Sequence, residues 1–587
     1  LPQLTVPFAG QSHRSGPLSF GHANIVRSIA VDEDPTRLNL AMVFDTPADG
    51  GLDRIADQLR TLVERHEALR TTYRLGAPAT QVVAAEGELA VTVVEAADDP
   101  LGVAERTARR LRSQVFDLER ELPVRVAVVT AGGVPRHLVW VVTHAAMDVA
   151  ACEVLHTEWA ALCAGRPLPV PAALEPVDVV ELERSPTIRR LGESALRYWE
   201  SRLRRVPQAM FTPSARTTPA KADWLHAGLN IRSTTVPARL ESIAERTGAS
   251  PSAVVLAALA VLVGHRTGHS TVATVSLSDN RVVRKLRGFF GSLAQDALLS
   301  VDLSDAAGFD DAVRKVRSAG LPAYRHAWFD PIALWQQVIN EVNGARGISF
   351  ARDLVFNDMS TLATTAGSPD QSALSRLPAV WIPGHQPAPD EDPGIGGSVS
   401  WLPKEDIPCR FFVCLYRLDG EFEMTLWVDP QILPEDEAEE FGRALLRLLR
   451  AAGDADLPLG ELKSLTTLEP VPRGEGWYVS DHSLVELDAV RGLLDDVLGE
   501  VPHLVTAEPD EELGHRIVCH LAGPDSPAAV HERTLAVLPG RVTAIAPQHY
   551  VVHDTAPAGP AAADPDAWAA LPVRAQADGR GEGGERA

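Results

Sequence analysis

The sequence predicts an α/β protein, with two α/β regions of comparable size along the chain and a smaller α+β unit after them. Three patterns carry that expectation. Val124, Val126 and Val128 alternate as a half-buried strand does. Leu52, Ile55, Leu59, Leu62 and Val63 recur on one face of a helix over 52–66. The same mixture of strand-like and helix-like runs resumes after about residue 192. The chain has 587 residues, 45% hydrophobic and 23% charged, which suffices for several packed cores.

Residues 1–16 read as a polar lead-in bearing Gly and Pro, and the first region runs to about 185. After the helix at 52–66, Arg106, Arg109, Arg110 and Arg112 fall on a second one. Residues 137–142 (HLVWVV) form a buried strand, and 149–163 have helical periodicity. Pro167, Pro169 and Pro171 punctuate a connection. In the second region, 240–247 is a helix stopped by Gly248, and Ser250 with Pro251 caps the next. That next helix, 253–263, is apolar on most faces and therefore buried. Strands follow at 271–277 and 298–303, then a long Gly-, Ser- and Pro-rich loop at 361–400. Residues 411–416 and 421–428 pair as a hairpin across Leu418, Asp419 and Gly420. The helix at 434–449 has an acidic first turn and an arginine-rich last turn, matching its dipole. A boundary falls near 466–476, the α+β unit continues to about 572, and 576–587 is expected to be disordered.

The formal net charge of −23 disfavours nucleic acid and anionic membranes as partners, because phosphate binding needs clustered cations. The cluster Arg284, Lys285 and Arg287 is a solvated face or a contact for an acidic protein. Five cysteines without metal-ligand spacing argue against a disulfide scaffold or a zinc site, and for a reducing, cytoplasmic compartment. No secretory leader pattern opens the sequence, and the apolar helix is too short to span a bilayer.

The most informative segment is Val141 to Val149, which holds His144 and Asp148. A histidine at the end of a buried strand, in a short loop before a helix, is held rigidly and still exposed, as a general base must be. The same pattern equally describes an ordinary strand-end histidine, with Asp148 as the helix N-cap.

An ordered series of motifs resembles the condensation domains of nonribosomal peptide synthetases, relatives of chloramphenicol acetyltransferase. Residues 17–20 (PLSF) resemble the family's opening box, and 65–73 (RHEALRTTY) is nearly its second motif. Phe116, Asp117 and Leu118 precede the strand at Val124 as in the family. Thr143 to Val149 falls where His-His-x-x-x-Asp-Gly belongs, and Tyr198-Trp199 resembles the Tyr-Trp box. Residues 279–281 (DNR), 288–290 (GFF) and His326 with 329–331 (FDP) match the later segments. The resemblance covers about 16–465. It implies two acetyltransferase-like lobes in a V, 16–185 and 190–465, with a central tunnel. A thioester on the phosphopantetheine arm of a separate carrier protein would enter from one face and an amine from the other. No bound cofactor or metal is implied.

On this resemblance His144 is the catalytic base. Asp148 is a loop anchor whose partner is Arg70 or Arg281. Asn357 matches a polar position opposite the histidine that donates to an oxyanion or orients the acceptor; a loop-capping asparagine is the other reading. Arg65 and Arg70 are structural, or make surface ion pairs with Glu64 or Glu67. The family's first histidine is Thr143 here, which can hydrogen-bond the loop, and its glycine is Val149, which narrows the passage. Cyclising relatives carry Asp at the Thr143 position, so heterocyclisation is disfavoured.

No Gly-x-Ser-x-Gly elbow, Walker loop or dinucleotide fingerprint is present. Residues 470–572 resemble, more weakly, the C-terminal subdomain of an adenylating enzyme. Its catalytic lysine should fall near Ala563, yet no lysine follows Lys463. The expectation is a freestanding condensation enzyme with a degenerate adenylation-type C-terminal subdomain. It forms an amide, or an ester with a hydroxyl acceptor. The alternative is a catalytically silent platform that recruits a carrier protein or a tailoring enzyme; epimerisation, which requires a carrier domain just upstream, is disfavoured.

Overall fold

The structure, a computed structural model, describes residues 3–10, 13–47, 50–213, 225–360 and 391–579. Among these, the first lobe is built on a five-stranded sheet. Its order is Gln3–Ala9, Glu86–Glu95, Val124–Ala131, Val134–Thr143 and Asn39–Asp45. Helices Leu52–Arg65 and Val149–Cys163 cover one face, through Leu59, Leu62, Leu155 and Trp159. Helices Phe20–Val31 and Pro100–Arg112 cover the other, through Ile25, Val26, Ala108 and Leu111. With both faces covered, Val134–Thr143 is apolar at successive positions rather than alternating, with Leu138 to Val142 at 0% exposure.

The second lobe holds a seven-stranded sheet ordered Gln295–Asp302, Thr271–Ser278, Leu354–Asp358, Phe411–Arg417, Phe422–Val428, His226–Ser233 and Ser398–Glu405. Helix Pro251–Thr267 is capped by the Ser250 hydroxyl, which accepts from Ala253 N–H at 3.2 Å, with Pro251 in its first turn. It is buried in the largest core with helices Val236–Thr247, Phe309–Arg325 and Glu435–Asp454. No single helix among the described residues is long and apolar enough to cross a membrane. All five cysteines are free thiols.

Four expectations about elements are corrected. The lead-in is not irregular: Gln3–Ala9 is a strand that buries Val6 and Phe8, and Arg14–Pro17 is another. Pro7 is tolerated because this is an edge strand. The end of the expected 361–400 loop belongs to strand Ser398–Glu405; 361–390 lie outside the described residues. Helix Glu435–Asp454 runs past 449, so Arg443 and Arg447 are not in its last turn but pair with Glu439 and Glu440. Val573–Asp578 is a strand, which takes Gln576 to Asp578 out of the expected disordered tail; 580–587 lie outside the described residues.

The C-terminal unit forms a third sheet, ordered Ser483–Glu486, Trp477–Ser480, Gly514–Ala522, His549–His553 and Val573–Asp578, with His503–Asp510 beside Gly514–Ala522. It docks on the second lobe through polar contacts shut away from water. Arg346 Nε donates to Asp481 Oδ2 at 2.8 Å, and its Nη2 to the Asp481 carbonyl at 2.5 Å. Gln208 donates to the carbonyls of Val542 and Ala544 at 2.9 and 2.8 Å. Ile348 of the second lobe inserts into the core of the unit. Removing the cation strands a buried carboxylate, so Arg346→Ala should cost about 3–5 kcal/mol. A lowered urea midpoint, with earlier proteolysis at the linker 466–476, is the expected reading.

Candidate active site

Sequence and fold converge on the seam between the lobes. His144 leaves the end of strand Val134–Thr143, and its N–H donates to the Leu38 carbonyl at 2.9 Å. Its own carbonyl accepts from the Ser292 hydroxyl of the second lobe. Helix Val149–Cys163 starts five residues later. Asp148 is its N-cap, and Oδ1 accepts from Ala151 N–H at 3.0 Å. The backbone on both sides of the imidazole is therefore fixed, while the residue stays half-buried.

Asp148 also closes the seam. Arg281 Nη1 and Nη2 donate to Asp148 Oδ2 and Oδ1, both at 2.8 Å, a fork-to-carboxylate pair. Leu293 N–H adds a bond to Oδ2 at 2.9 Å. Asp148 is 2% exposed. Burial pushes its pKa up, but the Arg281 charge and hydrogen bonds with the Leu293 and Ala151 N–H groups outweigh burial and hold it below the usual carboxylate value. Of its two candidate partners, Arg281 is the one found. Arg70 is buried elsewhere, donating to the Ala84 carbonyl at 2.6 Å and lying 3.7 Å from Glu67. Arg65 pairs with Glu158 at 2.8 Å, not with Glu64, because the 65–66 turn faces helix Val149–Cys163.

The segment after Arg281 is the other half of the seam. Phe290 leaves its own lobe and enters the first lobe's core, stacked on His66 at 3.9 Å between ring centres. His66 Nε2 lies 2.6 Å from Glu158 Oε2. Gly21, on helix Phe20–Val31, approaches so closely that a Cβ there would lie 2.4 Å from the Ser292 carbonyl oxygen. His22 beside it is fully buried, with Nδ1 2.6 Å from the Ser19 hydroxyl, and burial lowers its pKa to about 4. His144 is also shifted down, by burial, against the opposing pull of its own and the Met147 backbone and of the Asp148 charge. It is accordingly a neutral imidazole at pH 7.

Thr143 is 1% exposed, and its hydroxyl is 3.4 Å from Ala145 N–H. Val149 packs against Met359, Cys414 and Tyr416 of the second lobe. Asn357 is half-buried on strand Leu354–Asp358, opposite Cys414 in register, so it shares the face that Val149 touches. Sequence reasoning missed His22, Ser292 and Phe290. Phe290 stands inside a motif that was read, but its burial in the other lobe has no local signal; Ser292 and His22 carry none at all.

A strand-end histidine over a buried carboxylate, at the seam of two α/β lobes, defines a protein of the chloramphenicol acetyltransferase-like condensation fold. The family described as the condensation domain matches residues 30–377, more than half of the chain, and the chain belongs to that family. Chondramide synthase cmdD of Chondromyces crocatus is 25% identical over 529 residues, 85% of this chain and 13% of its own length. The chain thus spans a small part of that curated relative. Among solved structures, the condensation domain of the monacolin K polyketide synthase MokA superposes with a TM-score of 0.59 at 17% identity, covering 76% of this chain and 100% of that one. The X-domain in complex with OxyB from teicoplanin biosynthesis gives 0.57 at 21% identity, covering 77% and 97%.

Two predictions follow from this geometry. Arg281→Ala should lower stability by about 3–5 kcal/mol, because Asp148 stays buried without its partner. Arg281→Lys should recover only part, since an ammonium cannot fork. Chemical denaturation checks both. The second concerns acid. His22 is protonated less readily folded than unfolded, so its contribution is complete above pH 6.5 and is lost as pH falls toward about 4. His22→Asn should reduce the slope of stability against pH in that window by about one proton. His269, also held near 4 by burial, keeps its own share of the slope.

Proposed function

We propose that the chain joins a carrier-tethered acyl or aminoacyl thioester to an amine, with His144 as general base. A hydroxyl acceptor giving an ester is the near variant. The observation that carries this is the half-buried, neutral imidazole at the lobe seam, on a backbone held from both sides. Thioester aminolysis needs a neutral amine that is aimed and loses a proton as the C–N bond forms. A histidine within hydrogen-bond reach accepts that proton, and positioning supplies much of the remaining acceleration. Asp148 holds the loop rather than the proton, since its oxygens are committed to Arg281 and to backbone N–H groups. Asn357, on the facing strand, is the donor proposed for the developing oxyanion.

The reading assigns the chain a carrier protein as partner, whose phosphopantetheine arm delivers the thioester through a tunnel between the lobes in a bacterial cytoplasm. No bound cofactor is invoked. The C-terminal unit is a degenerate adenylation-type subdomain. Ala561 to Ala563 stand where a lysine would neutralise the acyl-adenylate, and the chain between the lobes and this unit is too short for a nucleotide-binding core.

One observation favours a second reading, a silent platform that recruits a carrier or a tailoring enzyme: Val149, at the start of the helix after the His144 loop, packs an isopropyl group against Met359, Cys414 and Tyr416 of the second lobe. An assay with an acyl-loaded carrier and an amine pool separates the two. His144→Ala should lower product formation about 10²–10⁴-fold with carrier binding unchanged. If wild type makes no product and still binds the carrier, the platform reading stands.

A further inference from the structure

Helix Val149–Cys163 carries a second ionisable group whose place in the chemistry is open. Ala151, Cys152, Leu155 and Trp159 point into the first lobe's core. Val149 lies on the opposite side and meets Met359, Cys414 and Tyr416 across the seam. Glu153 is one turn further along the same face, about 6 Å along the axis. It is half-buried, and among the described residues its carboxylate makes no hydrogen bond and no ion pair. Arg281 is near enough to act on it through space, but that guanidinium is engaged by Asp148 and by the Phe289 and Gly291 carbonyls. Burial accordingly raises the Glu153 carboxyl to about 7, with Arg281 opposing. A half-enclosed carboxylate with no partner is a cost to the fold that a cationic ligand would remove.

We propose that Glu153 is a specificity-determining residue that binds a second positive charge on the acceptor, so the acceptor class is a diamine or a basic amino acid. This rests on the condensation reading of the same seam. The reacting nitrogen must be neutral beside His144, and Glu153 lies a helical turn beyond the start of the helix, out of reach of that nitrogen. A cation several bonds further along the acceptor reaches it. The pairing leaves the proton count at the reacting amine unchanged, because Glu153 holds the acceptor and takes no part in proton transfer.

The test uses two ligands with the same number of heavy atoms, 1,5-diaminopentane and the uncharged 1,5-pentanediol, titrated into the full chain at pH 8, where Glu153 is ionised. Wild type should bind the diamine about tenfold more tightly, as a charge-assisted hydrogen bond in a half-buried site provides. Glu153→Gln should abolish the difference, and Glu153→Asp should keep part of it. In the carrier assay 1,5-diaminopentane should exceed hexylamine about tenfold in kcat/KM, because hexylamine cannot place its one nitrogen both at Glu153 and at the reacting position. Equal affinities in wild type, or an undiminished preference in Glu153→Gln, would overturn the proposal. A preserved binding preference with no turnover of either amine would instead sink the condensation reading and leave the cation site standing.

Discussion

The buried pair between Asp148 and Arg281 is the constraint on which the rest of the structure depends. It is the point where the two lobes exchange charge away from water, and each partner has a second duty. Asp148 caps helix Val149–Cys163 and so sets where the His144 loop ends. Arg281 donates to the carbonyls of Phe289 and Gly291, which aims Phe290 into the other lobe and puts Ser292 under the His144 carbonyl. Desolvating two charges is expensive, and such a pair holds its place only when every lone pair is used. Here the backbone N–H groups of Leu293 and Ala151 complete the set. The pair is better described as fixing geometry than as adding stability: a well-packed apolar substitute could match its free energy but could not fix the loop on both sides of the imidazole.

The sequence made the first lobe's central elements readable because their cause is local. Strand Val134–Thr143 holds an unbroken apolar run from Leu138 to Val142, and helix Val149–Cys163 begins on a side chain that caps it. The helix Pro251–Thr267 was legible for the same reason, with Ser250, Pro251 and a run of Val, Leu and Ala. The edge strand Gln3–Ala9 was lost because Gly and Pro nearby outweigh a short alternation of Leu4, Val6 and Phe8. The arginines of Glu435–Asp454 were read as a response to the helix dipole, whereas the helix continues past them and they serve i,i+4 and longer-range pairs.

The seam itself was only partly legible. Family resemblance offered Arg70 and Arg281 as partners of Asp148, and nothing in the residue spacing could choose between them. What decides is tertiary: Arg70 turns into its own lobe toward Ala84, while the 279–294 segment crosses to the other. Phe290 on His66, Ser292 under His144 and the close approach at Gly21 are contacts between residues far apart in the chain. No periodicity encodes them. Glu153 was invisible for a related reason: on a helix of otherwise ordinary pattern, a glutamate reads as a solvated face, and only the neighbouring contact of Val149 turns that face toward the second lobe.

The contacts along the seam are unequal, and the inequality bears on how a substrate could pass. At one end stand the enclosed Asp148–Arg281 fork and the inserted Phe290. Elsewhere along it, Arg37 meets Asp406 at 2.7 Å and Arg112 meets Glu405 at 3.2 Å, pairs that keep part of their surface in water. Partly solvated pairs of this kind contribute about 0–1 kcal/mol each, against the several kcal/mol lost when an enclosed pair is broken. Separation of the lobes therefore costs least near Glu405 and Asp406 and most beside His144. A crevice that widens this way leaves the imidazole where the chain fixed it. The face of Val149 and Glu153 is carried on the same helix as the Asp148 cap, so it keeps its distance from His144 as well.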